Sequence, residues 1–265
     1  MPNPEAERPH PLKPPPRWPR IVGLLLGVCA VFASAWHIGV DFRLLGRGSG
    51  HMWRLLTQFF APNWSYIEKI MPAIFETLRM AVLGTTLGAI ISIPIIFGAA
   101  RNVTQNRIVR TASRAVLNVL RTIPELLFAA IFVAIVGLGA TAGVMAITFF
   151  SFGIIAKLTS EAVETIDPGP MEALTAAGAS RPVLVGYAVV PQILPHFISY
   201  VLYTFEINVR AATVLGLVGA GGIGVPLNTA LRLLQYDKVA SILIVIFAVV
   251  LVIDGLSQTL RRRLQ

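Results

Sequence analysis

Two short groups of side chains could do chemistry within otherwise apolar sequence. Glu76 and Arg79 lie three apart in the run from about Pro72 to Ala99, and Glu206, Asn208 and Arg210 lie together in the run from about Gly186 to Ala212. At helical spacing each Glu–Arg pair falls on one face. An ionisable group at mid-bilayer costs about 2.5–3.5 kcal/mol on insertion scales, so each needs a reason to be there. A guanidinium offers a planar fork of donors suited to an oxyanion. In one reading Arg79 and Arg210 line an oxyanion path, with Glu76 and Glu206 balancing charge at rest and Asn208 beside them. In the other, each pair is an intrahelical bridge facing neighbouring spans. Both readings stand at this level. The four histidines, at 10, 37, 51 and 196, lack metal-ligand spacing, and the single Cys29 excludes an internal disulfide or a cysteine-rich metal site. No catalytic residue and no metal ligand is assigned.

The elements that must position these groups are membrane spans. The chain has 265 residues, 55% of them hydrophobic and 13% charged, with mean hydropathy +0.73. A soluble domain carries about 25% charged residues, so this composition points to a membrane. A helix needs roughly 20 apolar residues to cross the hydrocarbon layer. Such runs occur at Ile21–Val40, Pro72–Ala99, Ile123–Leu138, Thr141–Leu158, Gly186–Ala212 and Val239–Leu256. The expected fold class is an all-α polytopic membrane protein of about six spans. The third and fourth runs are short, separated only by the turn at Gly137–Ala140.

Residues 1–20 hold eight of the eighteen prolines beside four basic residues, and read as a disordered tail before a transmembrane domain at 21–265. The apolar run behind it is too long for a cleaved signal core and reads as a first span. With the N-terminus inside, fourteen Lys/Arg fall in inside segments and six in outside ones, Arg79 and Arg210 being the two within spans. The positive-inside rule therefore expects both termini in the cytoplasm. The stretch 101–121, with five arginines and no acid, is the clearest inside segment. Trp18, Trp36, Trp53 and Trp64 avoid span centres, and residues 51–60 read as an outer interfacial helix. The net charge of +9 comes with no basic face interleaved with aromatics, so no nucleic-acid partner is expected.

The connection at 159–185, between the fourth and fifth spans, is unlike an ordinary loop. It is long, alanine-rich and helix-prone, with breaks expected at Pro168-Gly-Pro170 and Ser180-Arg-Pro182. Glu172-Ala173, then Gly178, then Pro191 resembles the EAA motif of ABC importer permeases, with Leu174, Ala188 and Val190 as apolar replacements. Ala179 and Arg181 flank the same turn. The span-five stretch Phe205–Gly224 and Arg121-Thr-Ile-Pro-Glu125 resemble the phosphonate and phosphite permeases of that family. The resemblance implies a type I ABC importer permease in a bacterial inner membrane, with its path on a second copy's interface. It implies three partners: a cytoplasmic ATPase dimer that grips the 159–185 loop, a solute-binding protein outside, and a second permease copy in a homodimer. ATP and magnesium would then belong to the ATPase, leaving this chain without a cofactor and not an enzyme.

Gly219, Gly221, Gly222 and Gly224 formally satisfy GxGxxG, but no βαβ unit surrounds them. Behind a span, they read as close backbone packing or a re-entrant turn at the outer mouth, an outer gate. A P-loop is absent from the sequence, so ATP has no such site here. Other readings are a permease of the same build for another solute, such as methionine, an ion-coupled secondary transporter, or a membrane enzyme. No convincing internal repeat supports the second, and no catalytic cluster supports the third.

Overall fold

The computed structural model describes residues 18–39, 50, 52, 53 and 55–264. The body of the expected N-terminal tail, 1–17, and residues 51 and 54 of the expected interfacial helix lie outside them. Helix α1 (Trp18–Ile38) falls in one compact unit and everything from Leu55 onward in a second. The side chains from Ile21 to Ser34 are exposed, and the helix is largely apolar.

The second unit runs α2 (Tyr66–Ala99), α3 (Arg107–Thr122), α4 (Glu125–Val136), α5 (Ala140–Val163), α6 (Gly169–Ala176), α7 (Arg181–Leu184), a π-helical turn (Val185–Val189) and α8 (Val190–Leu215). A 3₁₀ turn (Gly216–Val218), α9 (Gly224–Arg232) and α10 (Tyr236–Leu264) complete it. All regular structure among the described residues is helical.

Among the described residues five helices are long and apolar enough to cross a membrane. The expected third span differs. Its apolar helix α4 holds 12 residues, about 18 Å at 1.5 Å per residue, and it turns away from α3 by 92°. The cause is local. Pro124 forces Ile123 out of the helical region, to φ −91° and ψ 118°, so the chain cannot run straight from α3 into α4. Only the bent α3–α4 pair, counted as one, would make a sixth span.

The core is organised on α2, α5 and α8. Gly84 and Gly88, four apart on α2, let α5 approach closely: a Cβ at Gly84 would lie 2.5 Å from Cγ2 of Ile147, and one at Gly88 2.6 Å from Cβ of Ser151. Small residues at this spacing are how membrane helices gain close packing where no hydrophobic force separates helix from lipid. Above and below that contact sit two apolar clusters. One, at the end that carries the 159–185 loop, gathers Ile96, Leu117, Ala156, Val163 and Val189. The other, at the opposite end, joins Ile70 and Ile74 to Ile223, Val239 and Ile242.

Candidate functional site

The 159–185 connection is two short helices hung from the body. Helix α5 continues to Val163, past the expected span end, and α6 and α7 follow at the two expected breaks. Pro170 and Pro182 each sit in a first helical turn, where a missing N–H costs nothing. Between them Gly178 adopts φ +75°. Its N–H donates to the Thr175 carbonyl at 3.0 Å, and that of Ala179 to the Leu174 carbonyl at 3.0 Å. This is the Schellman arrangement, which places glycine at the left-handed position and explains the residue type there.

No residue of α6 is fully buried, and Glu172, Ala173, Gly178, Arg181 and Pro191 are exposed. Met171 alone reaches back against the apolar cluster beneath. Pro168, Met171, Glu172, Thr175, Ala179 and Leu184 line an open concavity whose inner wall is Asn102 and Glu164. Helix α6 thus stands out from the body, with Met171 reaching back to it. Ala188 and Val190, which stand where the EAA pattern has larger residues, are buried or half-buried in the π turn and first turn of α8.

The root of this loop is tied by contacts that sequence spacing did not reveal. Arg114 of α3 and Glu164 form an ion pair, and Arg114 Nε also donates to the Ala99 carbonyl at 2.9 Å. The Arg101 N–H donates to Glu164 Oε1 at 2.8 Å, and Asn102 Nδ2 to the Val163 carbonyl at 2.6 Å. Arg181, expected among the coupling residues, donates to the Val103 carbonyl at 3.0 Å. On the far side the Asp167 N–H donates to Gln192 Oε1 at 3.1 Å, while Gln192 Nε2 donates to the Ala188 carbonyl at 2.7 Å. The loop is therefore tied to the α2–α3 corner at both ends, through Glu164 and Arg181, and to the first turn of α8 through Asp167. The one visible sequence signal was an acid, Glu164, across from a stretch with five arginines and none of its own.

The span-embedded groups separate into different roles. Glu206 accepts from Arg210 at 2.8 Å and from Arg261 of α10 at 2.7 Å. The second partner lies 55 residues away, beyond what spacing along one helix reports. Asn208 is fully buried, and its Nδ2 donates to Thr85 and to Ser151, both at 2.7 Å. It ties α8 to α2 and α5, and the expected position on a path surface is corrected by that burial. Of the two readings left open, the intrahelical bridge does not form at Glu76–Arg79: Arg79 is exposed and forms no ion pair among the described residues. Glu76 turns instead towards the glycine loop, where a Cβ on Gly221 would lie 2.9 Å from its Oε1.

The Thr85–Asn208 bond marks a common level, which places the two arginines. Arg79 is six residues and Arg210 two residues towards the glycine-loop end, about 9 Å and 3 Å respectively at 1.5 Å per residue. Their heights thus differ by about 6 Å. At about 100° per residue, both point well away from the buried Asn208 contact, onto the surface of this protomer.

The glycine loop is packed. Gly221, Gly222, Ile223 and Gly224 are buried, with Gly219, Gly221 and Gly222 at φ between +70° and +87°. The Ile223 N–H donates to Thr77 Oγ1 at 2.8 Å, and the Gly139 N–H to the Gly219 carbonyl at 2.9 Å. The loop wedges between α2 and the start of α5, where a Cβ on Gly221 would meet the Ala140 N at 2.8 Å. It is a close-packed turn followed by α9, with no nucleotide-binding surroundings.

Comparison with known proteins agrees with this architecture. Residues 84–265 match the family described as binding-protein-dependent transport system inner membrane component. The chain is 41% identical to the putative phosphite transport system permease protein HtxC of Stutzerimonas stutzeri, over 88% of this chain and 83% of that one. It is 39% identical to the phosphite transport system permease protein PtxC of the same organism, over 91% and 87%. An inward-facing crystal form of the MetNI methionine ABC transporter superposes with TM-score 0.67 at 22% identity, covering 77% of this chain and 99% of that one. That likeness shows the fold, a type I ABC importer permease. The chain belongs to the binding-protein-dependent inner-membrane components: it is a multi-pass permease subunit of an ABC importer, not an enzyme.

Proposed function

We propose that this permease carries a phosphorus oxyanion, namely phosphonate, phosphite or phosphate, and that Arg79 and Arg210 face its path. The observation that carries this reading is Arg79, an exposed guanidinium within a long apolar helix and without an ion pair among the described residues. A bare cation facing lipid would be costly, so this face belongs against water, anion or a partner surface. Relatives named as phosphite permeases at 39–41% identity support the same chemistry. A second copy of the chain would close the path as a homodimer. Arg210, which shares Glu206 with Arg261, would meet the anion deeper than Arg79 does.

Both termini lie in the cytoplasm in this proposal, which puts the 159–185 loop there too. The ATPase dimer docks on the concavity around Glu172, Ala173 and Gly178, and it alone binds ATP and magnesium. A solute-binding protein delivers the anion at the opposite face, near Gly219–Gly224. Closure of the ATPase moves α6 and α7, and the clamps at Glu164 and Gln192 pass that movement to α5 and α8.

The test is uptake into proteoliposomes holding the permease, its ATPase and its binding protein. Methylphosphonate, phosphite, phosphate and methionine are compared with and without internal ATP. ATP-dependent uptake of a phosphorus oxyanion, lost in R79Q and R210Q while the complex still assembles, supports the reading. Methionine uptake, or undiminished oxyanion uptake in both variants, overturns it.

A further inference from the structure

Helix α3 presents three distinct faces. Ser113 and Leu117 pack against the body. Around the helix from them, Ile108 and Val119 are 79% and 60% exposed, beside exposed Val109 and Val116. The remaining arc, about 120° wide at 100° per residue, carries Arg107, Arg110, Arg114 and Arg121 with Asn118 and the threonines. The helix has no acid of its own. Arg114 is used by Glu164, but the side chains of Arg107, Arg110 and Arg121 form no ion pair or hydrogen bond among the described residues.

The 92° bend into apolar α4 gives these faces a direction. If α4 runs into the hydrocarbon, α3 lies along the membrane plane, with its valine–isoleucine face towards acyl chains and its arginines level with headgroups. A shallow concavity lined by Arg107, Ile108, Thr111, Ala112 and Ala115 puts one guanidinium directly beside an apolar floor. A cationic rim on an apolar bed fits a phosphodiester carrying acyl chains better than it fits a soluble anion.

We propose that α3 is a docking site for anionic phospholipid, with Arg107, Arg110 and Arg121 on headgroup phosphates and Ile108, Ala112 and Val119 on the acyl layer. This rests on membrane residence and the α3 geometry, and is independent of which solute is carried. Because Arg114 on the same helix holds Glu164, a lipid bound here steadies the corner that anchors the coupling loop.

The test uses the complete transporter, permease with its ATPase, in nanodiscs of mixed phosphatidylglycerol and phosphatidylcholine, with retained lipid read by native mass spectrometry. The wild type should retain phosphatidylglycerol above its share of the mixture. Each arginine neutralised should weaken that retention about fivefold, so R107Q/R110Q/R121Q removes the preference. The R107K/R110K/R121K variant keeps the charge and should largely restore it, and R232Q, outside α3, should leave it unchanged. Equal retention in the glutamine variant overturns the proposal, as does displacement of the lipid by inorganic phosphate. Loss of the ATPase from the glutamine variant with lipid retention unchanged would assign the face to a protein partner and also overturn it.

Discussion

Arg114 and Glu164, fifty residues apart in sequence, are joined where α5 hands over to the coupling loop. The carboxylate also receives the Arg101 N–H, so one acid holds both the turn after α2 and the middle of α3 against the root of the loop. In the proposed mechanism this pair is the point about which the loop would turn.

Replacing Glu164 with Gln should therefore affect coupling more than folding. The pair is only partly buried, with side chains 31% and 25% exposed, so screening limits its stability contribution to about 1 kcal/mol. The expected result for E164Q is a small fall in melting temperature but a marked fall in solute carried per ATP hydrolysed. Unchanged stoichiometry in proteoliposomes would show that the loop moves without this anchor.

The sequence carried the local features well and the distant ones poorly. The breaks at Pro168-Gly-Pro170 and Ser180-Arg-Pro182 were legible because proline and glycine act on their own neighbourhood, and the structure starts α6 and α7 there. The Glu206–Arg210 pair was legible for the same reason, being four apart on one helix. Pro124 carried a signal too, but hydropathy alone ran the third span through it. Asn208 with Thr85 and Ser151, and Arg261 with Glu206, join residues 55 to 123 apart, and no periodicity reports such distances. Glu76 and Arg79 are close in sequence yet do not pair: the Glu76 carboxylate lies against Gly221 of the packed glycine loop, while Arg79 is exposed.

Glu206 should be the costliest member of its triad to remove. Its side chain is 13% exposed and serves two guanidinium groups, whereas Arg210 is 49% exposed and serves one carboxylate. E206Q leaves two cations without their shared anion; R210Q leaves the Arg261–Glu206 pair intact. We expect E206Q to lose about 1–2 kcal/mol more than R210Q after discounting for partial exposure. Detergent-solubilised melting curves compare the two directly, and equal losses would mean that the triad is not organised on Glu206.

Gly178 offers a cleaner probe of the loop than any charged residue. No atom lies within 4 Å of where its Cβ would be, so G178A meets no clash. The whole penalty is the left-handed conformation at φ +75°, about 1–2 kcal/mol for an L-residue. That cost falls on the turn between α6 and α7 alone. Hydrogen exchange should then rise at the Gly178 and Ala179 amides while the spans stay protected, and ATP-driven uptake should drop. Unaltered exchange at those two amides would show that the turn does not depend on glycine.

Gly84 and Gly88 make a final, ordered prediction about the α2–α5 contact. At Gly84 an added methyl meets Cγ2 and Cβ of Ile147 at 2.5 and 2.7 Å, with the nearest backbone atom, the Val144 carbonyl, at 3.2 Å. At Gly88 it meets the Thr148 carbonyl at 2.8 Å and the Phe152 N at 3.0 Å, both backbone, as well as the Ser151 Cβ. A side chain can re-seat, but a helix backbone moves only by carrying its neighbours with it. Overpacking of this kind costs about 1–3 kcal/mol, and G88A should lie at the upper end with G84A below it. Displacing α5 at Ser151 also stretches the hydrogen bond to Asn208, so G88A should loosen α8 while G84A should not. Melting curves for the two variants check the order, and a G84A protein less stable than G88A would place the tighter contact at Ile147.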